Sequence, residues 1–222
     1  MGKYLIGLLL LCSNAYAKQV RVMVLDSGID ASHLELVKYV EAGSYDDLHD
    51  FYGHGTHVAG IIAESGCPNL KIVSCKGFFV KGHGAIVPIV NCLNRAIKEH
   101  IDIINFSANG ELPFDEEFQV MKKVSAAGIK INVAAGNDNK YLGSPCYRSF
   151  PACYRLDGMT IVGALDRNNR YELSNYGIPG MAWEQGVNIL STLPDNKYGK
   201  MTGTSMATAM FTRHMVQDLC YK

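Results

Sequence analysis

Short apolar runs alternate along the chain with longer stretches in which apolar residues return every three or four positions. Val20 to Leu25, Leu70 to Ser74, Ile101 to Phe106 and Ile129 to Ala134 are rich in β-branched residues and bounded by polar residues or glycine. Each reads as a buried strand, and Met159 to Ala164 and Val187 to Leu193 read as further strands. Helical spacing covers His54 to Glu64, stopped by Ser65-Gly66-Cys67-Pro68, and Ala85 to Glu99, with Ile86, Ile89, Val90, Leu93 and Ile97 on one face. It returns over Phe114 to Ala127, closed by Gly128, and in a last helix starting near Thr204, whose apolar positions include Met206, Met210, Phe211, Met215 and Leu219. Asp30 to Val40 reads as a turn and short helix. Glu41 to Tyr52 and Gly77 to Gly84 read as loops, and a long loop follows Asn137.

Strands alternating with helices imply right-handed βαβ units, hence an α/β fold with a mostly parallel sheet. Sites on such sheets lie beyond the carboxyl ends of the strands. Asp26, Ser107 and Asn137 each follow a predicted strand, so one edge is expected to gather all three.

Length suits one domain with a full-sized core. The 21 basic and 21 acidic residues balance, and no basic block suggests nucleic acid. The first residues change the picture. Lys3, the apolar run Leu5 to Leu11 and Ala15-Tyr16-Ala17 have the form of a signal peptide, residues 1–17, cut after Ala17. That run is too short to span a bilayer; a buried N-terminal helix or a retained anchor is the competing reading. Export makes the product secreted or periplasmic, with residues 18–222 as one domain and no stable membrane insertion. Cleavage removes Cys12 and leaves six of the seven cysteines, an even number that favours disulfides over buried thiols. Cys146 and Cys153 bracket a short loop and are expected to pair; the other four have no assigned partners. No C-x-x-C pair points to zinc.

Candidate chemistry centres on Gly203-Thr204-Ser205-Met206-Ala207, where a serine enters the first turn of a helix. Free backbone N–H groups there can stabilise negative charge beside the hydroxyl. Alone, such a serine is more often a cap. Val24-Leu25-Asp26-Ser27-Gly28-Ile29 and His54-Gly55-Thr56-His57-Val58-Ala59-Gly60 supply the acid and the base that a nucleophile needs. With Ala134-Ala135-Gly136-Asn137, these four motifs, in the order Asp…His…Ser, make the chain resemble the subtilisin-like serine proteases, the subtilases.

The resemblance implies a three-layer subtilisin-like fold, shortened at its C-terminus and lacking the family's inhibitory pro-segment, and a secreted serine endopeptidase working through an acyl-enzyme. It implies that Ser205 is the nucleophile, His54 the base, Asp26 its partner and Asn137 a side-chain donor to the oxyanion. It places peptide substrate against Ser107, Ala108 and Asn109 on one side and Gly82, His83 and Gly84 on the other, with a pocket wall through Ala135 and Gly136. His57, three residues after His54, takes a supporting role; a metal pair would need a further ligand. Ala209 stands where the family usually has proline. Glu64 and Asn69 are too few oxygens for the calcium loop many relatives carry after this helix, so no cofactor is expected; a looser site at Asp46-Asp47 stays open. An uncovered side of the last helix would call for cover from a second copy, a partner or a rearranged loop, with Cys220 tying the end down. The rival reading is a subtilase-like binding or regulatory module without turnover.

Overall fold

A computed structural model of the chain describes residues 19–41, 47–80, 83–84, 86–146 and 148–221. The expected signal segment, Lys18, Asp46 and Gly82 lie outside the described residues. In chain order the elements are β1 Val20–Asp26, α1 His54–Ala63, β2 Leu70–Lys76, β3 Phe78–Val80, β4 His83–Gly84, α2 Ile86–Lys98, β5 Ile103–Phe106, α3 Asp115–Ala126, β6 Lys130–Ala134, β7 Met159–Asp166, β8 Asn169–Arg170, β9 Ala182–Gln185, β10 Ile189–Leu193, β11 Lys197–Met201 and α4 Thr204–Cys220.

The central sheet runs β2-β1-β5-β6-β7-β8, and β9 also pairs with β7. Every pairing is parallel except β7 with β8. Because β1, β5 and β6 are covered on both faces, their residues are almost all buried while alternate side chains enter different layers. In β1, Met23 and Leu25 pack with α2 and α3, whereas Val20, Val22 and Val24 pack with α1 and α4. The result is the three-layer α/β architecture expected. Parallel register brings Asp26, Ser107 and Asn137 to the carboxyl edge of β1, β5 and β6.

Several elements differ from the sequence reading. Residues 31–40 form successive turns instead of a helix; the Asp30 carboxylate takes both the backbone N–H and the hydroxyl of Ser32 and competes with helical bonding. Gly77 to Gly84 contains the small hairpin β3–β4 instead of an open loop. Strand β10 begins at Ile189, after Asn188 with φ of 56°. Its partner β11 is mostly exposed and carried no apolar signal. Asp47 is engaged within the protein: the Lys76 backbone N–H donates to Oδ1 (2.9 Å) and the Arg95 guanidinium to Oδ2 (2.9 Å).

Helix α4 finds its cover within the chain. Met206, Ala207, Ala209, Thr212 and Val216 are buried, and Met210 and Met215 pack against the α1 side of the core. Cys220 is disulfide-bonded to Cys67, and the Tyr221 hydroxyl donates to Gly66 O (2.9 Å). Most of the cover expected over this helix thus comes from within the chain, while Leu219 stays exposed. The remaining disulfides are Cys75–Cys92 and the expected Cys146–Cys153.

The Cys67–Cys220 bond spans 153 residues, so it restricts the unfolded chain strongly. Replacing both cysteines by serine is expected to cost about 2–5 kcal/mol in reversible chemical denaturation under oxidising conditions. A change below about 1 kcal/mol would show that packing alone holds α4.

Candidate active site

The acid sits where β1 ends. Asp26 is buried, and its Oδ1 accepts the Ser27 N–H (2.7 Å) and meets His54 Nδ1 at 2.7 Å. A carboxylate there fixes the imidazole tautomer: Nδ1 carries the proton and Nε2 keeps its lone pair. His54 opens α1, and its side chain is 20% exposed. Burial lowers its pKa, but the charge and hydrogen bond of Asp26, helped by the charge of Asp50, more than offset this, and the net value is raised above the ordinary 6.5.

That contact depends on a close approach. A Cβ on Gly55 would overlap the carbonyl of Gly28 and lie 3.1 Å from the Asp26 side chain, so only glycine lets the first turn of α1 reach the end of β1. Asp50 secures the turn from the other side. Its Oδ1 accepts from Ser27 Oγ (2.9 Å), Tyr52 N–H (3.1 Å) and Gly53 N–H (2.7 Å), and its Oδ2 from Thr56 N–H (2.9 Å) and Thr56 Oγ1 (2.7 Å). Ser27 Oγ in turn accepts from Gly55 N–H (2.9 Å). Asp50 thus satisfies helix-start donors with a negative charge, the sign favoured at an N-terminus. In the sequence Asp50 falls within the loop predicted over Glu41 to Tyr52, and an acid just ahead of a glycine-flanked helix start is the signal that marks it.

The nucleophile candidate is held by reciprocal bonds. Ser205 Oγ donates to Ser107 O (3.0 Å), and Ser107 Oγ donates to Ser205 O (3.1 Å). Asn105 Nδ2 donates to Ser107 Oγ (2.8 Å), Thr212 Oγ1 to Asn105 Oδ1 (2.8 Å), and Asn132 Nδ2 to Thr212 Oγ1 (2.9 Å). This buried chain of bonds pins the start of α4 to β5 and β6. In these positions the Ser205 hydroxyl points at Ser107, not at His54.

Asn137 accepts the Thr204 N–H on Oδ1 (2.8 Å), which leaves its Nδ2 as the free donor end. Gly203, at φ 151° and ψ 174°, lies against this amide: an added Cβ would come within 3.2 Å of Nδ2. As the second residue of α4, Ser205 has a backbone N–H with no preceding turn to bond.

A cleft of about 160 Å³ is lined by Asp26, Ser27, Tyr52, His54, Phe78, Ser107, Ala108 and Asn109. The expected substrate residues Ser107, Ala108 and Asn109 therefore face the acid and base. Ala135 packs in the core and Gly136, at φ 101°, lies against Asn109 and Asn175; neither lines this cleft. His83 and Gly84 form β4, opposite Val80 and Phe78. Tyr52, which sequence reading missed, stacks on His54 with ring centroids 6.2 Å apart. His57 is buried and donates through Nε2 to Ile189 O (3.0 Å) and Gly199 O (3.1 Å) of the β10–β11 hairpin. Burial, and secondarily the nearby His54, lower its pKa.

The chain is similar to known proteins. The subtilase family profile matches residues 17–217. Subtilisin DY of Bacillus licheniformis is 35% identical over 203 residues, 85% of this chain and 72% of that protein. The major intracellular serine protease of Bacillus subtilis (strain 168) is 34% identical over 210 residues, 86% of this chain and 65% of its own length. The chain spans only 52% of subtilisin E from the same organism. Among solved structures, a cold adapted subtilisin-like serine proteinase superposes with a TM-score of 0.78 at 25% identity, covering 90% of this chain and 75% of that one. With the profile covering nearly the whole chain and a relative 35% identical over 72% of its own length, the chain belongs to the subtilase family.

Proposed function

We propose that residues 18–222 act as one catalytic unit, an exported serine endopeptidase that hydrolyses peptide bonds through Asp26, His54 and Ser205. The observation that carries this reading is the Asp26–His54 hydrogen bond at the sheet edge where Ser205 is also anchored. Disulfides agree with an oxidising compartment. Relatives include two named intracellular, so export rests on the leader and the cysteines.

In the proposed reaction, Ser205 Oγ turns from Ser107 O toward His54 Nε2 and gives up its proton as it attacks the substrate carbonyl. Asp26 keeps the imidazole oriented and stabilises its cation without taking the proton. Negative charge on the carbonyl oxygen is met by the Ser205 N–H and Asn137 Nδ2. His54 then protonates the leaving amine, and water repeats the sequence on the acyl-enzyme. A second reading, a binding module without turnover, is favoured by one observation: the resting Ser205 hydroxyl is bonded to Ser107 O.

Labelling with a fluorophosphonate separates the two. One label per chain on Ser205 is expected, and no label would favour the module. Ser205→Ala and His54→Ala should each lose at least about 10⁴-fold in amidase kcat, and the double variant little more, because the residues act as a unit. Additive losses would break the shared mechanism.

Only neutral His54 can accept the serine proton, so kcat/KM should rise with pH to a plateau, with its midpoint above 6.5 as the raised pKa requires. Asp26→Asn should lower that midpoint in whatever activity remains. The stability that the His54–Asp26 pair contributes is full below the unfolded-state pKa of about 6.5 and is lost as pH climbs through the folded value. A midpoint below 6.5 in the parent chain would contradict the geometry.

Asp50→Ala leaves helix-start donors without their acceptor. It is expected to cost about 2–4 kcal/mol of stability and at least tenfold in kcat/KM, by the scale of lost caps and buried unpaired donors. Unchanged kcat/KM with a lower Tm would limit Asp50 to holding the fold.

A further inference from the structure

Next to the cleft that holds His54 lies a second cavity of about 120 Å³, and the two share Phe78, Ala108 and Asn109. A peptide lying along Ser107–Asn109 would therefore present one of its side chains to it. The volume is that of about four waters at roughly 30 Å³ each, enough for a single side chain. Phe78, Ile86, Ile89, Phe106, Leu112 and Phe150 make the wall apolar. Glu117, from the first turn of α3, is the one ionisable group among the described lining residues.

Glu117 is 4% exposed. Tyr154 fixes it: the phenol accepts the Phe114 N–H (3.0 Å) and donates to Glu117 Oε2 (2.9 Å). Burial pushes the carboxyl's pKa up, against the pull of the Tyr154 bond. An ionised carboxylate in an apolar wall is costly unless a donor or cation meets it. Tyr154 supplies one donor; the carboxylate's further acceptor capacity suits a second.

We propose that this cavity is a specificity pocket for a substrate side chain with an apolar stem and an amine tip, lysine, and that Glu117 selects the tip. The methylenes of lysine pack on the aromatic wall while its ammonium meets the Glu117 carboxylate. A guanidinium is a poorer fit, because its five donors would face a wall offering few acceptors. A purely apolar side chain fills the same volume but leaves the carboxylate with Tyr154 alone, and sites built around a buried polar group reject ligands that leave it unmatched. The proposal rests on the peptide-binding reading of the cleft, and on this chain's glutamate within it.

The test uses the full chain carrying Ser205→Ala, which cannot turn peptides over. Fluorescent peptides differ only by lysine or norleucine, placed at one position at a time, and binding is read by polarisation. At one position lysine is expected to bind about tenfold more tightly than norleucine. Adding Glu117→Gln, which still accepts the Tyr154 hydroxyl, should bring that ratio to about one, and Glu117→Leu should invert it. A lysine-to-norleucine ratio near one at every position of the parent, a ratio that Glu117→Gln leaves unchanged, or no binding of either peptide overturns the proposal. Fluorophosphonate labelling of the chain with Ser205 intact reads the protease assignment separately.

Discussion

The site depends on how closely the first turn of α1 can approach the end of β1. Asp26 and His54 are 28 residues apart in sequence, and their bond forms only because Gly55 has no side chain to strike the Gly28 carbonyl. The approach also concentrates unpaired backbone donors, since the first N–H groups of any helix lack partners. Asp50 resolves both problems together. Its carboxylate collects donors from the turn before the helix, from the helix and from Ser27, so the loop after β1 and the start of α1 share one acceptor. Moving any of the three segments would strand buried donors, and that makes the His54 position rigid.

The other half of the site is held by different means. No charge fixes Ser205; neutral side chains relay hydrogen bonds from Asn132 through Thr212, Asn105 and Ser107. Burying such groups in a sheet core is unfavourable unless each finds a partner, and here most do. The exception is Asn132 Oδ1, which is buried without one. Such a relay specifies one seating of α4 on the sheet, because a shift of one residue would break several bonds together. The helix that bears the serine is thus registered by polar groups, and the helix that bears the histidine by an ion and a glycine.

Much of this was legible in the sequence, and the limits are physical. The parallel core strands announced themselves because burial on both faces demands continuous apolar runs, as in Val20 to Leu25. The edge that gathers Asp26, Ser107 and Asn137 followed from topology alone. Strands β9 and β11 were hidden because neither carries a buried apolar run. Asp50 was harder to see for a different reason: its place ahead of a glycine-flanked helix start was a signal, but the set of backbone and hydroxyl donors it gathers exists only once the loop and helix are folded together. Glu117 looked like an ordinary acid in a helix's first turn, and only folding shows that it faces an apolar cavity. The apolar face of α4 called for cover, but a count of apolar residues said nothing of how α1, the sheet and the Cys67 bond supply most of it.

The Cys67–Cys220 bond has a consequence for the chain as a connected object. It joins the loop after α1 to the last turn of α4 and closes a ring that includes every element from β2 to α4. A single backbone cut anywhere inside that ring opens it without dividing the molecule. For a member of a protease family, whose copies meet one another as polypeptides, one nick between Cys67 and Cys220 would leave a single covalent molecule with Asp26, His54 and Ser205 all on it. Two cuts in the ring, or reduction followed by one, would be needed to shed a piece.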